Sequence, residues 1–320
     1  ICLVTLIFGE YIARSLPLNG KTSYEFYYKK SFFYYIDMKV KVLVAHHKPG
    51  LVIANDVYSP LQVGKTNSQY CLEMAGDDTG DNISELNPLY CEMTAVYWGW
   101  KNLSADYIGL CHYRRYFTFE KRKLFKRIID KNEYFFAILF GNLLKPGCKT
   151  AYDSKLSIAD RYLFENIVNN SSKKIYKLLS SDRFDAVVTL CQFFACRSVR
   201  DLFSLLGQYL IKSLEEIVQE INPDFYPYLE ETLNGRKLYP ANMFIFKKQI
   251  FEEYCDIIFP ILQIHMSKVV KDKWCLDVSS EKCYSRISGY LAEIITSSFV
   301  LKLHREHKTI RQINTIFLED

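Results

Sequence analysis

The chain has 320 residues, of which 49% are hydrophobic and 24% are charged, and its formal net charge is +5. This composition is that of an ordinary globular protein, and the length predicts one large or two small domains. Nucleic-acid-binding proteins concentrate far more positive charge on one face, so the charge argues against a nucleic-acid partner. A mild positive excess instead suits an anionic substrate or an anionic membrane surface.

The cysteines and the apolar runs narrow the class of protein further. The ten cysteines form no CxxC pair, and several lie inside apolar runs, as Cys91, Cys111 and Cys191 do. This pattern predicts buried, reduced thiols in a cytoplasmic protein rather than disulfides or a zinc site. No apolar run reaches the ~20 residues of a transmembrane helix, and the run at 134–144 is predicted to form a buried or interfacial helix.

In chain order, the first strong pattern is the strand KVLVAHH at 41–47. Residues 1–37 are therefore expected to be an N-terminal extension outside the main domain. That domain is expected to cover 38–303, with a variable helical insertion at about 120–180. The remaining residues, 304–320, are expected to form a basic C-terminal tail.

The next two patterns complete a strand–helix–strand unit. The segment at 87–102 is predicted to be a helix, because apolar residues recur at three and four positions and Pro88 suits a first helical turn. DYIGLCHY at 106–113 is predicted to be a short strand. This order points to an α/β unit.

The second half of the chain continues the alternation of helices and strands. Helices are predicted at 121–127, 159–179, 199–221, 249–266 and 285–307, and strands at 184–190 and 242–248. Pro260 is expected to kink its helix. The alternation predicts an open α/β sheet, in which ligands bind beyond the carboxyl ends of the strands.

The densest polar segment lies between 76 and 117. GDDTGDNIS at 76–84, NPLYCEMTAVYWGWKN at 87–102 and DYIGLCHYRRYF at 106–117 place Asp, Asn, Glu, His and paired Arg around short apolar runs. A fold requires apolar periodicity but does not require this polar density. A small-molecule site does require it.

These blocks, together with KVLVAHHKP at 41–49 and YSPLQVG at 58–64, resemble a bacterial family long labelled a domain of unknown function, DUF4422. Its members belong to capsule, exopolysaccharide and lipopolysaccharide gene clusters. Weaker matches at 184–188, 239–248 and 286–293 extend the resemblance over about 38–303. It implies a glycosyltransferase with a GT-A-like fold, an open mixed sheet flanked by helices with a helical insertion and a helical C-terminal part. The implied partners are a nucleotide-sugar donor and a lipid-linked glycan acceptor.

The strand end HYRR is the predicted diphosphate site. Enzymes with the GT-A fold usually hold the diphosphate through a metal on an Asp-x-Asp, whereas this chain has His112, Arg114 and Arg115 at the corresponding strand end. Two guanidinium groups can neutralise a diphosphate without a metal, so no cofactor is expected to be required and no metal ligand is assigned. The alternative is Mn²⁺ or Mg²⁺ on Asp78 and Asp81, with His112 as a nitrogen ligand.

Four carboxylates are candidates for the base that deprotonates the acceptor hydroxyl. Asp78 and Asp81 lie in the polar loop, Glu92 lies near the start of a predicted helix, and Glu293 lies in the last predicted helix. Asp81 is favoured because its loop is the densest in polar groups, and Asn82 beside it is a predicted binding residue. The open alternative is that the loop only forms turns and caps the following helix.

The ends of the first two predicted strands supply further binding residues. His46 and His47 follow the first strand, where a nucleotide base would lie. Gln62, Gly64 and Lys65 end the second strand block. Gly64 would permit a close backbone approach, and Lys65 would meet a phosphate.

The C-terminal half contributes three more candidates. Asn242 is similar to the asparagine that precedes a central strand in related transferases and faces the donor sugar. Arg286 and Glu293 are seven residues apart and therefore share one helical face. They are predicted either to line the pocket or to belong to an ion-pair network.

These features predict a cytoplasmic glycosyltransferase that moves a sugar from a nucleotide-diphosphate donor to a lipid-linked precursor of a cell-surface polysaccharide. A sugar-phosphate transferase and a non-catalytic binding protein of the same pathway are the alternatives. Basic residues at three-residue steps in 301–312 predict one side of a helix that contacts the inner membrane peripherally. A solvated helix end, with basic residues favoured by the helix dipole, is the alternative there.

Overall fold

The structure is a computed structural model that describes residues 11–18, 21–28, 38–120, 153–194, 197–272 and 286–319. The chain divides into two compact units, Ile1–Met38 and Lys39–Asp320. In the first unit, β1 (Tyr11–Leu18) and β2 (Lys21–Tyr28) pair antiparallel along their full length. The helices predicted at 121–127 and 134–144 lie outside the described residues.

Four parallel strands form the N-terminal part of the second unit. They lie in the order β6-β3-β4-β5, and their bounds are β3 (Val40–His46), β4 (Tyr58–Gln62), β5 (Ala75–Gly76) and β6 (Tyr107–His112). Their register places Ala45 opposite His112, His46 opposite Gln62, and Gln62 opposite Gly76. All four strands therefore end at the same edge of the sheet, where the predicted site residues follow them.

The remaining strands come mainly from the C-terminal half. They are β7 (Arg115–Thr118), β8 (Asp153–Ser157), β9 (Ala186–Thr189), β10 (Gln192–Phe193), β11 (Lys237–Leu238), β12 (Phe244–Lys247) and β13 (Ile310–Glu319). Strands β10 and β11 form a separate two-stranded ribbon. The others join the main sheet, which contains nine strands.

The pairing of five strands closes a ring, which differs from the predicted open sheet. One edge of β6 pairs with β3, while its other edge pairs first with β12 and then with β7. Strand β12 pairs in turn with β9, and β13 closes the ring, since its first half pairs with β9 and its second half with β7. Gly109 permits the contact between β6 and β12, since a Cβ there would lie 2.4 Å from the Phe244 carbonyl oxygen.

Eight α-helices are described around this sheet. They are α1 (Asn87–Tyr90), α2 (Met93–Asn102), α3 (Arg161–Leu179), α4 (Val199–Phe203), α5 (Gln208–Ile221), α6 (Tyr226–Asn234), α7 (Lys248–Asp272) and α8 (Ile287–Arg305). Two predicted helices are interrupted: 87–102 at Cys91, with φ of 51°, and 199–221 at Gly207, with φ of 140°. The mixed α/β architecture is thus confirmed, although the sheet is not simply open.

Helix α8 lies in the core of the second unit. It packs against α6 and α7, and most of its residues are buried. Aromatic side chains fill the space between α7, α8 and β12, where Phe246 lies 5.7 Å from Phe299 and 5.6 Å from Tyr254 between ring centroids. Aromatic side chains contribute large apolar areas to a core of this kind.

The C-terminal segment differs from the predicted basic helix. Helix α8 continues to Arg305 and β13 begins at Ile310, so the helical interpretation of 301–312 is right for 301–305 and wrong for the rest. Lys302 forms ion pairs with Glu253 and Glu306, and Arg305 pairs with Glu231. Membrane contact by this segment stays a prediction. Among the described helices, none has the length and apolar character needed to cross a bilayer.

Candidate active site

The predicted site residues fall into two groups at the shared edge of the parallel strands. The first group follows β4 and β5, and its centre is Asp77, which is fully buried. Its carboxylate accepts hydrogen bonds from the backbone N–H of Gly64 (2.9 Å), the backbone N–H of Lys65 (3.2 Å) and Ser84 Oγ (2.5 Å). Gly64 has φ of 62°, which favours glycine. Asp77 therefore fixes the turn after β4.

Lys65 and Asp78 meet across Gly76. Their charged groups are 3.6 Å apart. A Cβ on Gly76 would lie 2.2 Å from Lys65 Cδ and 2.4 Å from Asp78 Oδ1, so only glycine leaves room for this pair. Gln62, buried beside them, uses both ends of its amide on backbone groups, those of Tyr70 and Leu72.

The loop that carries Asp81 is attached to α2. The Asp81 carboxylate accepts a hydrogen bond from Tyr97 Oη (3.1 Å), and its backbone exchanges two hydrogen bonds with the Asn102 side chain. Asn82 forms local turn contacts with Gly80 and Ser84. Structural contacts thus account for much of the loop's polar density, and the ligand-binding and catalytic roles of these residues stay predictions.

The second group lies around the turn that precedes β12. Ala241 and Asn242 have φ of 67° and 49°, and Cys91, next to Glu92, has φ of 51°. Left-handed conformations are uncommon for residues other than glycine, and each costs on the order of 1–3 kcal/mol. Such strain persists only where surrounding contacts hold it, and it clusters at functional sites.

A polar stripe on α8 holds this turn in place. Ser297 Oγ accepts a hydrogen bond from the Tyr239 backbone N–H (2.9 Å), and Glu293 Oε1 accepts one from the Ala241 backbone N–H (3.0 Å). The Asn242 side chain donates to the Gly289 carbonyl oxygen (3.1 Å). Residues at these spacings lie along one face of a helix, which explains how a single helix fixes three consecutive contacts.

Asn242 connects the turn to Glu92. Its Nδ2 donates to Glu92 Oε1 at 2.8 Å and to the Gly289 carbonyl oxygen. Because both partners are acceptors, the amide nitrogen must face them. The start of α2 is thereby joined to the residues before β12.

His112, at the end of β6, is oriented by the same turn. Its Nε2 lies 2.7 Å from the Ala241 carbonyl oxygen. A carbonyl oxygen can only accept, so Nε2 carries the proton and Nδ1 is the nitrogen that can gain or lose a second one. Burial lowers the pKa of His112, and the Arg115 and Arg286 charges act in the same direction, whereas Glu92 raises it.

Glu293 lies in the same electrostatic cluster. Burial, followed by the charge of Glu92, raises the pKa of Glu293 to about 7, while Arg115 and Arg286 act in the opposite direction. The same three charges act on His112. Glu92, Glu293, His112, Arg115 and Arg286 therefore form one group of interacting charges at the sheet edge.

A histidine and tyrosine cluster lies beside this group. The rings of His46 and His47 lie 5.6 Å and 5.3 Å from the Tyr113 ring. His46 is fully buried, and neither of its ring nitrogens has a hydrogen-bond partner among the described residues. Burial lowers the pKa of His47, and the charges of Lys48, His112, Arg114 and Arg286 act in the same direction.

Residues 41–305 match the family model described as a domain of unknown function, DUF4422. The chain belongs to this family. Its structure is similar to the apo structure of WbbM, a bifunctional glycosyltransferase, with a TM-score of 0.69 and 25% identity. The match covers 88% of this chain and 46% of WbbM, so the chain spans less than half of that protein. A search of curated proteins found no match.

The similarity identifies a glycosyltransferase-like domain in this DUF4422 member. Eight predicted site residues come together in it, namely Glu92, His112, Arg115, Asn242, Arg286 and Glu293, with His47 and Arg114 beside them. His46 lies buried behind them. The other six lie in the loop group after β4 and β5, namely Gln62, Gly64, Lys65, Asp78, Asp81 and Asn82.

The sequence interpretation missed the residues that hold this DUF4422 site together. Ala241 has no side-chain signal for its left-handed backbone, so composition could not reveal the turn. Thr296 and Tyr254, which lie behind Asn242, were not among the predicted site residues. The polar residues Glu293, Thr296 and Ser297 within the mostly buried helix α8 were the available signal.

The described residues were compared with the requirements of a metal site formed by protein side chains alone. Within the part of the chain that the structure describes, no group of three or more His, Cys, Asp or Glu side chains is placed to hold a metal ion. The alternative of a metal on Asp78 and Asp81 with His112 stays a prediction, because a metal in such a site would also be held by the donor diphosphate. That the reaction requires no metal also stays a prediction.

Proposed function

We propose that this chain is a glycosyltransferase that moves a sugar from a nucleotide-diphosphate donor to a precursor of a cell-surface polysaccharide. The observation that carries the proposal is the group of arginines and histidines beside two carboxylates, Glu92 and Glu293, at the carboxyl ends of parallel strands. Ligands of α/β sheets bind at this edge. The similarity to a glycosyltransferase of known structure supports the same class of reaction.

The arginines are assigned to the donor diphosphate. The charge of Arg114 lowers the pKa of His47, and that of Arg115 lowers the pKa values of His112 and Glu293. The charge of Arg286 lowers the pKa values of all three residues. Three guanidinium groups in one cluster supply the bidentate, charge-assisted hydrogen bonds that phosphate oxygens accept. They stabilise the charge that develops on the nucleoside diphosphate as it leaves.

His112 is assigned to the same leaving group. Its Nε2 is held by the Ala241 carbonyl oxygen, so Nδ1 is the atom that can donate a proton to a phosphate oxygen. A bound diphosphate would favour the protonated ring, in opposition to burial and the neighbouring arginines. The histidine would thus change charge when the donor binds.

Glu92 is assigned as the base that takes the proton of the acceptor hydroxyl. It lies in the cluster with the arginines, and Asn242 orients its carboxylate. Glu293 lies in the same cluster and likewise accepts one hydrogen bond, from the Ala241 backbone N–H, so it is the second candidate. Asp81 accepts a hydrogen bond from Tyr97 outside the cluster. This assignment replaces Asp81 as the favoured base.

A panel of nucleotide sugars tests the proposal. Purified protein is incubated with each donor and with lipid-linked or soluble glycan acceptors, and the released nucleotide is identified. Free nucleoside diphosphate is expected. Nucleoside monophosphate would indicate sugar-phosphate transfer, and binding without turnover would indicate a non-catalytic protein.

A further inference from the structure

Two fully enclosed hydroxyl groups lie behind Asn242, on the side away from Glu92. Thr296 on α8 is 1% exposed and Tyr254 on α7 is 0% exposed. The Thr296 hydroxyl lies 3.3 Å from Asn242 Oδ1 and 2.8 Å from Tyr254 Oη. Neither residue belongs to the charged cluster itself.

The three hydrogen bonds that link Tyr254 to Glu92 all run in one direction. Asn242 Oδ1 can only accept, so Thr296 Oγ1 donates its single proton there. Tyr254 must then donate to Thr296, since the threonine proton is already used. The sequence of donors is therefore Tyr254 to Thr296, Thr296 to Asn242, and Asn242 to Glu92.

We propose that Thr296 is a positioning residue for Glu92, with Tyr254 as its support, and that it acts through the Asn242 amide. This proposal rests on the proposed function. The Nδ2 end of the amide has two acceptors, Glu92 and the Gly289 carbonyl, which decide which end faces the carboxylate. The Thr296 proton anchors the opposite end, so the amide is fixed at both ends.

The turn that carries Asn242 depends on its contacts for its shape. Ala241, the residue before Asn242, has φ of 67°, a conformation that alanine rarely adopts. Without the threonine hydroxyl, the buried Oδ1 would have no donor, and the amide would relax toward another orientation. A displacement of about 1 Å at a reacting group can cost roughly 100-fold in rate.

Thr296→Val tests the proposal, because valine keeps the shape and removes only the hydroxyl. Its kcat/KM for sugar transfer is expected to fall by at least about tenfold, the scale of outer-layer contacts that orient a functional group. Thr296→Ser restores the donor and is expected to recover activity to near the wild-type value. Ser298→Ala is the matched control, since Ser298 is a buried hydroxyl of α8 that bonds only its own helix, at the Ile294 carbonyl.

A double-mutant cycle separates positioning from general stability. In an Asn242→Ala background, Thr296→Val is expected to cause no further loss of kcat/KM, because its route to Glu92 is already broken. Unfolding midpoints of all variants are measured in parallel. An equal loss of kcat/KM in both backgrounds, or wild-type kcat/KM in Thr296→Val, would overturn the positioning role.

The same experiment distinguishes the two proposals from each other. If the wild-type protein transfers sugar and Thr296→Val matches it, only the positioning role fails. If the wild-type protein turns over no nucleotide sugar, the proposed function fails, and the positioning role fails with it.

Discussion

Asn242 Nδ2 donates a 2.8 Å hydrogen bond to Glu92 Oε1, although the two residues are 150 positions apart in the chain. Glu92 lies at the start of α2, between β5 and β6, and Asn242 precedes β12 in the C-terminal half. Both residues lie next to or within left-handed backbone, at Cys91 and at Ala241–Asn242. The bond therefore joins two strained segments, and neither half of the fold builds the site alone.

The first prediction concerns the acceptor base. Glu92→Gln keeps a hydrogen-bond acceptor for Asn242 but cannot take a proton, so kcat is expected to fall by about 100-fold or more. The unfolding midpoint should change little. Glu85→Gln is the matched control, because Glu85 is an exposed carboxylate of the preceding turn. Steady-state kinetics on the donor identified by the panel provide the measurement.

The opposite result would assign the base to a different carboxylate. If Glu92→Gln retains more than about a tenth of the wild-type kcat while Asp81→Asn loses about 100-fold, the base is in the loop group. The Asp81 assignment made from the sequence would then be correct.

The second prediction concerns the diphosphate. Arg114→Ala and Arg286→Ala are each expected to weaken nucleoside-diphosphate binding by about 2 kcal/mol, roughly 30-fold. Arg161→Ala is the control, since Arg161 is an exposed residue paired with Glu165 on α3. Titration calorimetry measures the affinities. Unchanged affinity in both site variants, at low salt, would rule out the assigned diphosphate site.

The sequence predicted the local elements well and the long-range pairing poorly. Strand β6 and helix α8 were recognisable because apolar residues repeat at the period of each element. Strand β13 was not, because its pairing with β7, β8 and β9 depends on parts of the chain more than a hundred residues away. Basic residues at three-residue steps were instead interpreted as one side of a helix.

The site likewise has local features that could be predicted and long-range contacts that could not. The position of His112 and the arginines at the sheet edge could be predicted from the sequence, because polar residues after a buried strand fall at the ligand-binding edge. Their role in binding stays a prediction. The loop around Asp81 is also attached to Tyr97 and Asn102, so its polar density alone does not distinguish a structural role from a catalytic one, and its catalytic role stays a prediction. The turn at Ala241 could not be predicted, because its left-handed backbone is imposed by α8 rather than by its own residues.

The third prediction concerns Glu293. Its pKa in the folded protein is about 7, above the ordinary 4.5, because of burial and the Glu92 charge. The folded state therefore binds its proton more tightly than the unfolded state, and this contribution to stability is present below pH 4.5 and lost as pH rises through 7. Glu293→Gln keeps an acceptor for the Ala241 N–H and cannot ionise. The variant is expected to be more stable than wild type at pH 8.

Urea denaturation at pH 5 and pH 8 measures this difference. The stability gap between Glu293→Gln and wild type should be largest at the higher pH and nearly absent at the lower one. Glu216→Gln, which changes an exposed carboxylate on α5, should show no such dependence. A gap of the same size at both pH values would contradict the argument.

The fourth prediction concerns acid stability and a residue outside the site. His265 on α7 is fully buried, and burial lowers its pKa from 6.5 to about 4. The unfolded state therefore binds more protons between these values, so stability is expected to fall as the pH falls from 6.5 to 4. The loss approaches about 3 kcal/mol for this one residue, on the scale of 1.36 kcal/mol per pKa unit.

His265→Gln, which fills a similar volume and does not titrate, is the variant that isolates this contribution. It is expected to be less stable than wild type at pH 7, because an amide would lie in an apolar core, but to lose less stability between pH 7 and pH 4.5. His307→Gln serves as the control, since His307 is an exposed residue in the turn before β13. Unfolding free energies from urea titrations at the two pH values give the measurement. A wild-type-like decline in the His265 variant would assign the acid sensitivity to other groups, of which His46, also buried and with a pKa of about 4, is the next candidate.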